Sequence, residues 1–446
     1  MEKDLTQGSV AKTMLLFAAP MIMGNLLQQC YNIADTLIVG KFLGPDALAS
    51  VGSAYTLMTF LTSIMIGLCM GSGTIFSVCF GKKDKQKMKN SIAASFLFIL
   101  AVTIIMNILV FVGIDWILHM MHVPNNIYNL MREYIFIIFG GIFFVFLYNY
   151  FAFLLRAIGN SMVPLFFLGA AAVLNIVLDI VFVVIFKQGV GGAAFATVIA
   201  QVVSGIGIAV YVWLKEPQLR LRKEDFIIRK TILLEVIRHS FAACIQQSVM
   251  NFGILMIQGL VNSFGTIVMA SFAAAVKIDS FAYMPAQEFG NAFSLFISQN
   301  YGAKKSERVY EGIRKAVKIS ILFCLAVSFI IFIFAPYLMQ IFVNAQEYEI
   351  IQIGVGYLRI EGSFYFGIGI LFLLYGFYRG IEKPEMSLIL TIISLGTRVL
   401  LAYLLAPIPV IGVLGIWWSI PIGWILADLV GIIYIKFVKS IFINVN

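Results

Sequence analysis

Two aspartates stand inside long apolar runs of this chain, where a charged side chain needs a partner or a task to offset its cost. Asp35 closes the stretch Gln28-Gln29-Cys30-Tyr31-Asn32-Ile33-Ala34-Asp35, in which Gln28, Tyr31, Asn32 and Asp35 follow the i, i+3, i+4, i+7 rule and form one polar stripe on a helix. That stripe faces either an interior cavity or a hydrogen-bond network between helices. Asp179 lies four residues after Asn175, so carboxylate and carboxamide share a helix face and can point at one ion. Thr197 adds a hydroxyl from a later run, beyond the small-residue stretch Gly191-Gly192-Ala193-Ala194 that permits close helix approach. Two carboxylates with neutral oxygens can accept a hard monovalent cation, or the two can share protons.

The second half has its own charges in apolar runs: Lys277, Asp279, Glu288, Arg359, Glu361, Arg398 and Asp428. Opposite signs predict internal pairing, as a structural network or as coupling to substrate or protons. Lys277 and Asp279 are two apart and do not share a face, so their partners are elsewhere, for example Arg398 with an acid. Asp279 and Glu288 are the stronger functional candidates. A substrate cavity would draw on Gln28, Tyr31, Asn32, Asp279 and Glu288 together with Met250 and Met256, whose soft side chains suit varied ligands; aromatic faces such as those of Tyr31 and Tyr283 would hold a cation.

The elements that position these residues are legible from composition. With 61% hydrophobic and 12% charged residues, the chain must use lipid as solvent. Twelve apolar runs are long enough to span a bilayer: 13–38, 53–79, 91–114, 131–153, 163–186, 190–213, 232–262, 267–299, 316–343, 352–377, 386–406 and 412–435. The halves repeat at an offset of 221 to 223 residues. Leu43-Gly44 matches Phe264-Gly265, Gly81-Lys82-Lys83 is echoed by Gly302-Ala303-Lys304-Lys305, Tyr134 pairs with Tyr357, and Arg156-Ala157-Ile158 pairs with Arg379-Gly380-Ile381. Asp35 and Asp179, however, fall opposite Met256 and Ala402: the scaffold is duplicated, the acids are not. Six runs per half give both halves one orientation, hence an all-α integral membrane protein of twelve transmembrane helices in two pseudo-twofold-related six-helix bundles. The expected division is an N-terminal lobe (1–214), a cytoplasmic linker (215–238) and a C-terminal lobe (239–446).

Basic residues set the orientation. With the N-terminus inside, only Lys41, Arg132 and Lys187 fall on the outer face, so both termini are expected in the cytoplasm of a multi-pass protein of the cell inner membrane. This bias accounts for the net charge of +9 without a nucleic-acid partner. The linker, with Leu219, Leu221, Phe226, Ile227 and Ile228 among basic residues, reads as partly an amphipathic surface helix. The runs 232–262 and 267–299 exceed a bilayer's needs and would tilt or project. Pro20 removes a hydrogen bond within the first run and gives that helix a place to bend. No cleavable signal is expected, and the five cysteines read as structural thiols. His119 and His122 lack further ligands for a metal, Gly71-Ser72-Gly73 is a packing feature, and no constellation for membrane-embedded catalysis is present.

The stretch Pro20 to Gly44, the loop Arg156-Ala157-Ile158-Gly159-Asn160-Ser161-Met162-Val163-Pro164, the Asn175/Asp179 pair and the twofold repeat together resemble the prokaryotic branch of the multidrug and toxic compound extrusion (MATE) family. The resemblance implies a V-shaped pair of bundles, a cation site at Asp35, Asn175, Asp179 and Thr197, bending at Pro20, and antiport of H+ or Na+ against amphipathic, often cationic, small molecules by a monomer with no other cofactor. It departs from the family in the seventh run, where Cys244-Ile245-Gln246-Gln247-Ser248-Val249-Met250-Asn251 lacks the acid that a subset uses to bind Na+. Alternatives are a flippase of lipid-linked precursors, which would call for cationic cavity residues that the first half lacks, and a channel, which would not show saturable exchange.

Overall fold

The computed structural model describes residues 4–121, 123–226 and 229–443. His122, Ile227 and Ile228, on which parts of the sequence reading rest, lie outside the described residues. The first half comprises α1 (Val10–Leu43), α2 (Pro45–Lys82), α3 (Lys85–Met120), α4 (Asn125–Gly140), α5 (Ile142–Ala157), α6 (Met162–Asp179) and α7 (Gly189–Lys215). The second comprises α8 (Lys230–Asn262), α9 (Thr266–Gly302), α10 (Ser306–Met339), α11 (Tyr348–Gly362), α12 (Tyr365–Gly380), α13 (Pro384–Leu405) and α14 (Val413–Ile443). Among the described residues ten helices are long and apolar enough to cross a membrane, and twelve spans result if the bent pairs α4–α5 and α11–α12, at 47° and 51°, each count as one. The breaks occupy the same place in each half. Length is not peculiar to α8 and α9, since α2 has 38 residues and α3 has 36.

The repeat extends to the backbone. Gly44 and Gly265, matched in sequence, both precede a helix at φ 87 and 92, a left-handed region that suits glycine. Lys83 and Lys304 adopt φ 56 and 55, and Gly159 and Glu382 adopt 89 and 62. Three of these residues, Lys83, Lys304 and Glu382, carry ordinary side chains, and at Glu382 the left-handed turn is retained although its counterpart is Gly159.

The described residues form two compact units: Asp4 with Ala19–Cys244, and Leu5–Ala18 with Ile245 onward. These limits differ from the expected lobes because the first nine residues of α1 and the first fifteen of α8 each pack with the other half's helices. In the first unit, α2 lies on the start of α8 with backbones almost touching: a Cβ on Gly67 would meet the Cys244 Cα at 2.6 Å, and one on Gly71 would strike the His239 carbonyl. Ser72 and Ser240 share a 2.8 Å hydrogen bond beside them. In the second unit, the segment before α1 is gripped by side chains of α9 and α10. Leu5 N–H donates to Gln299, and Arg308 donates to the carbonyls of Leu5, Gln7 and Gly8 at 3.1, 2.6 and 2.7 Å. Arg308→Ala is expected to raise protease cleavage within residues 4–9 at least several-fold with helical content unchanged, measured by limited proteolysis and circular dichroism. Cleavage at the wild-type rate would show these bonds to be dispensable.

Two expectations fail. Between α7 and α8 the described linker residues hold only short 3-10 turns at Pro217–Leu219 and Lys223–Phe226, not an amphipathic α-helix, and the rest of the expected linker, from Lys230, is already the start of α8. Pro217 begins the first turn, and Asp225 accepts from the Arg222 N–H at 2.7 Å and from Gln86 at 3.0 Å, side-chain bonds that compete with helix formation. Lys277 and Arg359 are exposed rather than paired inside, resting over Phe342 and Phe332 where their heads reach outward.

Much of each unit's apolar surface faces outward, as Val112 at 83% exposure illustrates. Lipid tails are as apolar as leucine, so cohesion within a unit rests on close packing and hydrogen bonds rather than on escape from water. The stacked Phe272 and Trp417 rings, 5.4 Å apart with Tyr357 edge-on at 4.9 Å, form one such packed centre.

Candidate functional site: a paired-carboxylate centre in the first unit

The polar stripe of α1 survives folding. Asn32 donates to the Tyr55 hydroxyl of α2 at 3.4 Å, and Gln28 hydrogen-bonds Tyr31. About one turn before the stripe, Gly24 of α1 faces α6: a Cβ there would contact Leu168 at 3.5 Å and Leu165 at 3.7 Å. This approach brings Asp35 to Asp179.

The two carboxyls face each other closely enough to interact directly. Two carboxylates cannot donate to each other, so the contact requires a proton or a cation between them. Asp179 is fully buried and Asn175 nearly so. The Asn175 amide donates to Thr197 Oγ1 at 3.3 Å, and Thr197 donates to the Ala193 carbonyl at 3.1 Å. Among the described residues no donor reaches Asp35 Oδ1, either Asp179 oxygen or Asn175 Oδ1. Buried acceptors left in this way are costly unless something absent from the protein itself fills them. All four residues singled out in the sequence for coupling, Asp35, Asn175, Asp179 and Thr197, are thus brought together. Their chemistry, two anionic and two neutral oxygen donors, fits a proton or a small hard cation.

Two features escaped the sequence reading. Directly after Asp179 the backbone widens into a π-helical stretch, Ile180–Ile185, with Phe186 N–H bonded to Val181 O at 2.8 Å. Such stretches often mark functional sites, and no composition signal predicts this one. Tyr134 of α4 is buried within electrostatic range of both Asp35 and Asp179. Its signal was available, because the repeat pairs it with Tyr357.

The other candidates are dispersed. Met250 and Met256 lie partly buried on α8, and the Met256 carbonyl accepts from Tyr403 at 3.5 Å. Asp279 and Glu288 sit nine residues apart on α9 and serve different surroundings: Asp279 meets Tyr357, Tyr365 and Glu361, whereas Glu288 accepts from Asn291, which in turn accepts from Arg379. The anticipated approach of Arg398 to an acid occurs at Asp279 and Glu361. Pro20 is inside α1, beside the point where the helix passes from one unit to the other. His119 uses its ring nitrogen on the Asp115 carbonyl at 2.8 Å.

The model of the MatE family matches residues 20–181 and 240–404, two blocks that follow the repeat. A probable multidrug resistance protein of Bacillus subtilis, YpnP, is 30% identical over 88% of this chain and 87% of its own length. The probable multidrug resistance protein NorM of Thermotoga maritima is 27% identical over 92% and 88%. Among solved structures, a MATE in complex with MaL6 superposes with a TM-score of 0.92 at 26% identity, covering 99% of both chains. A MOP superfamily transporter from Pyrococcus furiosus, described as having a binding pocket of reverse polarity that suggests a different function, matches with the same TM-score and identity over 98% of both.

Proposed function

We propose a function from one premise: the chain belongs to the MatE family, whose members are membrane transporters and not enzymes. The protein exports amphipathic, cationic small molecules by alternating access, in exchange for H+ or Na+ bound at Asp35, Asn175, Asp179 and Thr197, with both termini in the cytoplasm. The multidrug resistance and multidrug export names of its relatives support export of drugs. One observation carries the coupling: two carboxyls from different helices face each other, with buried oxygens that no protein donor satisfies.

Without an ion the two carboxylates repel, and α1 is driven from α6; with a proton or cation between them the helices close. The ladder of α1 is already interrupted at Pro20, so its later part can move with little loss of hydrogen bonding. Ion and cargo must favour different states of the protein, and linkage then makes each weaken the binding of the other. Equilibrium binding of a fluorescent cationic dye to the purified protein tests this. Added coupling ion is expected to weaken dye binding in the wild type and not in Asp179→Asn; ion-independent binding in the wild type refutes the coupling.

The neutral oxygens separate the two ions. A proton needs only a carboxyl, whereas Na+ needs several oxygens around it. Thr197→Val is therefore expected to leave pH-gradient-driven export within about twofold of wild type and to reduce Na+-driven export about tenfold, equivalent to about 1.4 kcal/mol of lost ion binding. Equal losses under both gradients would assign Thr197 a packing role.

A further inference from the structure

We propose that the second unit holds an exchangeable proton of its own, carried by Glu361 and shared with Asp279. Glu361 on α11 is 1% exposed and Asp279 on α9 is 5% exposed, and the two carboxyls are hydrogen-bond partners. One of them must be protonated for that bond to exist. The surroundings decide which. Tyr365 donates to Asp279 Oδ1 at 2.7 Å and Tyr357 donates to Oδ2 at 3.4 Å, an arrangement that supplies donors to a carboxylate. Tyr357 also hydrogen-bonds Glu361, but Glu361 Oε1 receives no donor among the described residues whereas each Asp279 oxygen has a phenol, which leaves Glu361 as the acid that gives its proton to the pair.

The charges facing the pair agree. Arg398 of α13 lies within electrostatic range of both acids, with its Nε buried and unbonded, so one guanidinium balances one carboxylate. The remaining titratable neighbours are Tyr283 of α9, and Asp428 of α14 lies beside Gly367 further along α12. A metal cation is disfavoured here because a guanidinium already stands near, and the Asp279 oxygens are occupied by phenols. In the first unit the oxygens are free and no arginine is paired with them.

The repeat gives this cluster its context. Tyr357 is the counterpart of Tyr134, which lies beside Asp35 and Asp179. The acids themselves come from other positions, since Asp279 and Glu361 fall opposite the apolar neighbourhood of Leu57 and Ile138. Each half has thus placed a carboxyl pair beside the same buried tyrosine, using different helices. The inference stands apart from the antiport reading and does not require it.

Infrared spectroscopy of the full-length protein in lipid nanodiscs at neutral pH, with the glutamate carboxyl carbons isotopically labelled, tests the site. A carboxylic-acid C=O band is expected that shifts with the glutamate label, shifts again in D2O, disappears in Glu361→Gln and persists in both Asp35→Asn and Asp179→Asn. Tyr365→Phe leaves both carboxyls in place and is expected to move this band without removing it, because Asp279 loses its shorter donor. Absence of a label-sensitive acid band in the wild type, its survival in Glu361→Gln, its insensitivity to D2O or its indifference to Tyr365→Phe would each overturn the proposal.

Discussion

Asp35→Asn and Asp179→Asn are each expected to reduce gradient-driven export in proteoliposomes to the level of protein-free vesicles, and the double variant to be no worse than either. An amide keeps the size and the hydrogen bonds of the acid but cannot bind and release a proton, and it is a far weaker ligand for a cation. The two carboxyls act through one shared ion, so losing either removes the whole coupling. Such residues give strongly non-additive effects, and the near-identity of single and double variants is the signature. Folding should be spared, because the remaining carboxyl keeps a neutral amide of the same size that can donate to it. Additive partial losses would indicate two independent helpers of transport. Monodisperse elution and a melting temperature near wild type are the accompanying controls.

The largest expected effect on stability is in the second unit, where α9 and α12 pack through glycines. A Cβ on Gly376 would strike the Gly290 carbonyl, and one on Gly290 would meet the Phe372 carbonyl oxygen at 2.8 Å. Both obstacles are backbone, so no change of rotamer can relieve them. Gly376→Ala is expected to destabilise by about 3 kcal/mol, read as a lower melting temperature in detergent and loss of monodisperse protein. Gly396→Ala, where nothing lies within 4 Å, is the matched control and is expected to be neutral or slightly stabilising. Equal behaviour of the two variants would remove close glycine packing as the basis of cohesion.

The fold was legible because its signals are long-range and redundant. Twelve apolar runs, an even number per half and matched Gly44/Gly265 turns each point to the same duplicated bundle. The first-unit site was legible because helical spacing alone puts Gln28, Tyr31, Asn32 and Asp35 on one face and Asn175 with Asp179 on another. What spacing cannot reveal is which faces meet. α1 meets α6 where Gly24 faces Leu165 and Leu168, a contact with no signature in either segment. The same limit hid Glu361, which was read among a scatter of charges and becomes a partner of Asp279 only when α11 packs on α9. Lys277 and Arg359 misled for the opposite reason: they fall within apolar runs, yet long aliphatic stems carry their charges over Phe342 and Phe332 to the exposed surface. The linker's basic and apolar mixture suggested a helix, but the backbone bonds of Asp225 are decided by its neighbours in space.

The most direct test of ion-coupled export is the movement of a fluorescent cationic dye in proteoliposomes under an imposed Na+ gradient and, separately, an imposed pH gradient, with Asp35→Asn beside the wild type. The account predicts saturable dye transport driven by at least one gradient and absent in the variant, and the effective gradient names the ion. Dye movement indifferent to both gradients, or unchanged in Asp35→Asn, would contradict it and direct attention to a lipid-linked cargo.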